Sequence, residues 1–156
     1  RWIVLKPRGA GHFVNGLTVT GNIFRTVNAT VDRIEGLDAT TATLDFGRMR
    51  NVVFEGNTFN GVTQPTINPV TVTHQQNTAS DTWTVNGAGF LPFGAWARTV
   101  PAALPEGPVL TAADAPRWDA PHALAEQGAG RDRVALRWPV AVKGRMQVTL
   151  RCDNPS

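Results

Sequence analysis

Tyrosine is absent from the 156 residues, and cysteine occurs once, at Cys152. A single cysteine excludes an internal disulfide, and with three scattered histidines it gives no zinc-ligand spacing. The sequence therefore calls for no metal and no cofactor. Sustained i, i+3, i+4 apolar stripes are also lacking, and 15 glycines and 11 prolines recur too closely for long helices. No apolar run approaches the roughly 20 residues that a membrane-crossing helix needs, so no membrane insertion is expected. Neither sign of charge dominates. The net charge is +3, spread evenly along the chain, and no basic run is interleaved with aromatics, which argues against nucleic acid as a partner. Hydrophobic residues make up 42% of the chain, enough to fund a core and to argue against disorder.

What the sequence does contain is a repeat. Residues 16–24 read GLTVTGNIF and residues 51–59 read NVVFEGNTF. The offset is constant, so Leu17, Thr18 and Val19 match Val52, Val53 and Phe54, while Gly21, Asn22 and Phe24 match Gly56, Asn57 and Phe59. Each copy opens on a run suited to a pleated strand. Each then turns at Gly-Asn, two residues that tolerate left-handed backbone angles. Self-similarity at this period points to stacked repeats. Two ordinary β-hairpins would leave the same mark, and the direction of strand pairing separates the two readings. In the stacked reading Phe24 and Phe59 are buried, and Asn22 and Asn57 sit inside the bend.

The chain opens on RWIVLKP, already strand-like and with no Met or cap. A stacked-repeat array needs its first rung covered, so these residues are expected to be the C-terminal piece of something longer. A change of style near residues 64–69 sets the expected domains at 1–66 and 67–156. Beyond it, VTVTHQQ and TWTVNGAG alternate apolar and polar residues, the second ending at the turn pair Asn86-Gly87. Residues 101–121 are proline-rich and read as an extended connection. Over 132–151, Val134, Leu136, Trp138, Met146, Val148 and Leu150 alternate with Arg133, Arg137, Arg145 and Arg151. With Lys143-Gly144 taken as a turn, this predicts an antiparallel hairpin with the apolar set inside and the arginines outside.

The two nine-residue copies resemble rungs of a right-handed parallel β-helix of the pectate-lyase-like class. Residues 81–100 and 132–155 resemble the C-terminal part of glycosyl-hydrolase-28-related proteins, some of them similar to phage tailspikes and to the spike proteins of gene transfer particles. The resemblance implies an all-β chain: the end of a right-handed parallel β-helix, then an antiparallel, sandwich-like domain for capping and oligomerisation. It also implies a homotrimeric spike or fibre on a virion or particle surface, in contact with cell-surface polysaccharide. The alternative is the C-terminal part of a polysaccharide hydrolase or lyase whose active site lies upstream.

Glycoside hydrolysis needs two carboxylates flanking the sugar. The candidates are Asp32, Glu35, Asp38, Asp45 and Glu55. Thr20 matches Glu55 in the other copy, so no acidic ladder forms, and Asp32, Glu35 and Asp38 share one loop with Arg33 that reads as solvated. No catalytic set emerges. Tryptophan rings stack on sugars or fill cores. Trp83 and Trp138 fall on apolar phases and read as core. Trp96 and Trp118, in irregular context, are the sugar-binding candidates together with Glu55. Phe90, Leu91, Phe93 and Trp96 form an apolar cluster that reads as a subunit interface or as a plug for the last rung. His74 reads as an ordinary strand residue, and Asn28-Ala29-Thr30 matches a glycosylation sequon.

Overall fold

A computed structural model of the chain describes residues 1–87 and 89–155. The fold is all-β. Its first part consists of three two-stranded parallel sheets. Strand β1 (Ile3–Leu5) pairs with β4 (Glu35–Leu37), β2 (Asn15–Thr20) with β5 (Arg50–Glu55), and β3 (Ile23–Arg25) with β6 (Thr58–Asn60). Leu17, Thr18 and Val19 lie opposite Val52, Val53 and Phe54, the register that the repeat predicts. The pairing is parallel, so the two copies are not hairpins.

Like residues stack on like. Phe24 lies on Phe59 with ring centroids 5.9 Å apart, and the Trp2 edge covers Phe24 from 5.6 Å. The Asn57 side-chain oxygen accepts from the Asn22 backbone N–H (2.9 Å) and amide (3.1 Å), and the Asn57 amide donates to the Val19 carbonyl (2.8 Å). The asparagines thus serve the bend, as the repeat predicts, but Asn22 is exposed and Asn57 half-buried. Phe24 is buried and Phe59 only partly so.

The second part is organised by one strand. β12 (Arg133–Arg151) pairs antiparallel with β7 (Val70–Asn86) along one edge. Along its other edge it meets β11 (His122–Gln127), then β9 (Val109–Leu110), then β8 (Thr99–Pro105), and β10 (Pro116–Arg117) extends the sheet beyond β9. The hairpin expected over 132–151 does not form, because Lys143 and Gly144 continue the strand across a register shift. Asn86-Gly87 likewise ends β7 without folding it into a hairpin, since β8 pairs with β12. A Cβ at Gly87 would run into Leu150, so the glycine serves a close approach.

The side-chain phase of β12 is as expected: Val134, Leu136, Met146, Val148 and Leu150 are wholly buried, Trp138 is buried, and Arg133, Arg137 and Arg145 are exposed. Arg151 is the exception, half-buried through its ion pair with Asp153. Both long strands bend. His74 and Trp83 on β7 touch at 5.6 Å between centroids, whereas nine residues of straight strand span about 30 Å. The ribbon therefore folds across itself, with Trp83 against Trp138 (4.8 Å) inside the fold. The Trp83 indole N–H donates to the carbonyls of Ser80 and Val142, which face each other between the two register shifts.

The outer edge of β5 is closed by polar groups from far along the chain. Val52 N–H donates to the Asp153 carboxylate (2.9 Å), and the Val52 carbonyl accepts from the Asn68 amide (2.7 Å). Phe54 exchanges both its backbone bonds with Asn68 (2.9 and 3.0 Å), and the Met49 carbonyl accepts from Asn154 N–H (3.1 Å). Asn68 also binds Asp153 (3.1 Å) and the Cys152 N–H (2.9 Å), and Arg151 forks onto both Asp153 oxygens (2.9 Å each). Asn68, Cys152 and Asp153 are wholly buried. One continuous core joins Val52 and Phe54 to Val85, Leu91 and Val148.

Burial alone would raise the Asp153 carboxyl, but the bonds from Arg151, Val52 and Asn68 outweigh it and hold the group below its usual range. A carboxyl depressed in the folded state contributes stability that is fully present above its unfolded value near pH 4 and lost as pH falls through the folded value. Asp153→Asn should cost roughly 3 kcal/mol at neutral pH, because it removes the charge that Arg151 pairs with and turns one of the two acceptor oxygens, each bonded by donors, into a donor. Urea midpoints from pH 7 to pH 2 provide the check: the wild type should lose stability below about pH 4, and the variant should lose correspondingly less.

Candidate functional site

The segment after β7 returns to the parallel sheets and carries Trp96. Its ring tilts against Phe46 at 6.0 Å, from the short 3₁₀ turn Phe46–Arg48, and the Arg131 guanidinium lies 4.3 Å above the ring centroid. Asp45 fixes that turn by accepting from Gly47 N–H (3.0 Å). Beside it, Arg98 donates to the Phe46 carbonyl (3.3 Å) and pairs with Glu126 at 3.1 Å, and Arg131 approaches the same carboxylate at 3.7 Å. Ala97 ties the layers together: its N–H donates to Arg131 and its carbonyl accepts from Glu126, both at 2.8 Å. Glu126 and Arg131 both hold left-handed backbone angles (φ 57° and 52°), which non-glycine residues adopt only where the surroundings impose them. On the other side of the turn, Arg48 stacks 4.1 Å over Phe13 and donates to the Gly11 carbonyl.

Trp96 is half-buried, and one ring face is taken by Arg131, so it is not a free platform for a sugar. Trp118 is the opposite case, 82% exposed between β10 and β11 and flanked by the Arg117–Asp119 pair at 2.7 Å. Glu55 ends β5 on the outward phase, exposed, and the structure does not bring it together with either tryptophan by any contact. Leu91 and Phe93 are buried in the chain's own core, where Phe93 meets Phe54 at 6.0 Å, and Phe90 is partly buried against it.

The loop carboxylates have separate fates. Asp32 and Asp38 are paired with Arg1 and Lys6, whose hydrogen bonds hold both carboxyls below the usual range. A glycosidic general acid requires a shift in the other direction. Glu35 is not solvated as its loop context suggested. Its side chain is wholly buried, bound by Arg33 (2.8 Å), Thr66 (3.2 Å) and Phe93 N–H (2.8 Å). Arg33 also donates to the carbonyls of Gly89 and Leu91, so this pair fastens the first part of the chain to the returning segment. His74 is a strand residue whose Nε2 lies 3.1 Å from the Gln76 side-chain oxygen. Burial pushes the Cys152 thiol far up, which makes it unreactive.

Among the described residues there is no pocket and no group of side chains that could hold a metal ion. No helix is long and apolar enough to cross a membrane. The sequence pointed to Trp96 but not to Phe13, Phe46, Arg48, Arg98, Glu126 and Arg131 around it. They come from four separate segments, so the basic-aromatic interleaving absent from the sequence is assembled only in space. No family model, curated protein or solved structure matches the chain.

The two tryptophans should separate in stability measurements. Trp96→Ala removes a ring packed against Phe46 and Arg131 and should cost about 2 kcal/mol in urea unfolding, whereas Trp118→Ala should stay within about 0.5 kcal/mol of the wild type.

Proposed function

We propose that the protein is the C-terminal portion of a trimeric, phage-like spike or fibre that contacts cell-surface polysaccharide, and that its windings are the last rungs of a right-handed parallel β-helix. One observation carries this reading. The edge of β5 is sealed by Asn68, Asp153 and Asn154, while the opposite edges of β1, β2 and β3 have no strand partner among the described residues. A parallel stack closed on one side and open on the other is the form of a terminal cap, since an open rung edge invites another rung. Stacked Asn57–Asn22 and Phe59–Phe24 pairs supply the register that a preceding rung would follow. The exposed Trp118 beside a guanidinium–carboxylate pair supports sugar contact, because an indole face with adjacent donors and acceptors suits a pyranose.

Assembly has its own support in β7. The remaining outer edges are guarded: β8 by Pro101 and Pro105, β10 by Pro116, and β11 by the irregularity at left-handed Glu126. Residues 70–80 of β7 contain no proline, glycine, lysine, arginine or carboxylate. Val72 and His74 face inward yet are only half-buried, while their direct partners Val148 and Met146 are wholly buried. This unguarded edge is where a neighbouring copy meets the chain. Light scattering should find three copies at micromolar concentration. Thr73→Lys with Gln75→Lys, both on the exposed face, should shift the mass toward one copy without changing the far-ultraviolet dichroism. A wild-type monomer would end the spike reading.

A further inference from the structure

Two cations in this structure are ordered but almost unpaired. Arg131 is held over Trp96, with half its side chain exposed, and its one carboxylate neighbour, Glu126, stands 3.7 Å away, beyond hydrogen-bond range. Arg48 is exposed and held over Phe13, and its one described hydrogen bond, to Gly11, uses one of the five donors of a guanidinium. Measured contacts join the two into a strip. Arg48 stacks on Phe13, its turn presents Phe46 to Trp96 at 6.0 Å, and Trp96 carries Arg131. Arg98 beside it is largely buried: it donates to the Phe46 carbonyl, and its Nε lies 3.1 Å from the Glu126 carboxylate without hydrogen-bond geometry.

We infer that this strip, from Phe13 and Arg48 across Phe46 and Trp96 to Arg131, binds an anionic polysaccharide through the free guanidinium edges of Arg48 and Arg131. Stacking on a ring restricts each guanidinium before any ligand arrives, so less rotamer freedom is lost when its donors engage a carboxylate or sulfate. The backbone agrees: Arg131 and Glu126 both have left-handed angles, and each is hydrogen-bonded to the backbone of Ala97. The spacing of charge favours polysaccharide over nucleic acid. Carboxylates of Asp45 and Glu126 interrupt the strip, and each arginine covers a face of the ring that would otherwise stack on a base. A polymer with sparse anions fits between these carboxylates, while a phosphate backbone with closely spaced charge meets repulsion. The inference rests on the polysaccharide part of the proposed function and adds the ligand's charge and its site.

The full chain should be titrated, at low and at physiological salt, with three polymers: neutral dextran, carboxymethyl-dextran on the same backbone, and single-stranded DNA. Carboxymethyl-dextran should bind most tightly, with affinity falling as salt rises. Arg48→Ala with Arg131→Ala should weaken it about tenfold or more, because two charge-assisted contacts are lost. The control pair Arg137→Ala with Arg145→Ala, both exposed elsewhere, should change it less than about twofold. Arg48→Lys with Arg131→Lys keeps the charge and loses the planar fork, so it should fall between; it also serves if the alanine pair unfolds. Equal binding by the strip variants and the wild type overturns the inference. Equal binding of neutral and charged dextran overturns the inference and leaves the polysaccharide reading standing. Absence of binding to either dextran overturns both, and tighter binding to DNA makes the strip a nucleic-acid surface.

Discussion

The edge of β5 decides how the rest of this structure can be built. A parallel pair exposes a row of backbone donors and acceptors on its outer side, and each one buried without a partner would cost on the order of 1–3 kcal/mol. Five such groups, on Met49, Val52 and Phe54, are satisfied by three residues, Asn68, Asp153 and Asn154. The solution is economical because Asn68 presents backbone and side chain together, and Asp153 is itself held by Arg151. It also forces the chain's end to lie beside its middle. β12 reaches this edge by running its length past β7, and the returning segment is pinned by Arg33 and Glu35 beside β4.

How much of this could be read in the sequence follows from the range of each interaction. The parallel register was legible because stacking places identical residues on one another, Asn57 on Asn22 and Phe59 on Phe24, so the contact repeats in the sequence itself. The inward phase of β12 was legible because alternation is local. Its connectivity was also written there, but it was misread. A two-residue turn at Lys143-Gly144 would set Val142 opposite Arg145 and Trp138 opposite Thr149, pairing apolar with polar positions. The apolar residues 134, 136, 138, 146, 148 and 150 share one parity, as a single strand with a shared inner face requires. Glu35 and Asp153 were not legible, because their partners Phe93, Val52 and Asn68 lie 58, 101 and 85 residues away. A loop acid beside one arginine looks solvated until the segment that covers it is known.

The same distinction sorts the surface. Trp118 stands exposed in a connection, whereas Trp96 packs against Phe46 and has lost a ring face to Arg131. The apolar residues of 90–93 that suggested an interface turn inward on Phe54, and the available edge is instead the polar, uncharged first half of β7. A cap that closes one side of a stack, offers an unguarded strand to a neighbour and displays ordered arginines and an exposed indole combines the features that the proposed spike end needs. These features are carried by different residues, so their roles are separable by substitution.

Hydrogen exchange of individual backbone amides tests the central claim most directly. If Asp153 and Asn68 seal the β5 edge, the amides of Val52 and Phe54 open only with the whole molecule and exchange as slowly as those of Leu136 and Val148 in the ribbon. Exchange of Val52 and Phe54 at the rate of exposed turn amides such as Gly94, with the ribbon still protected, would contradict it.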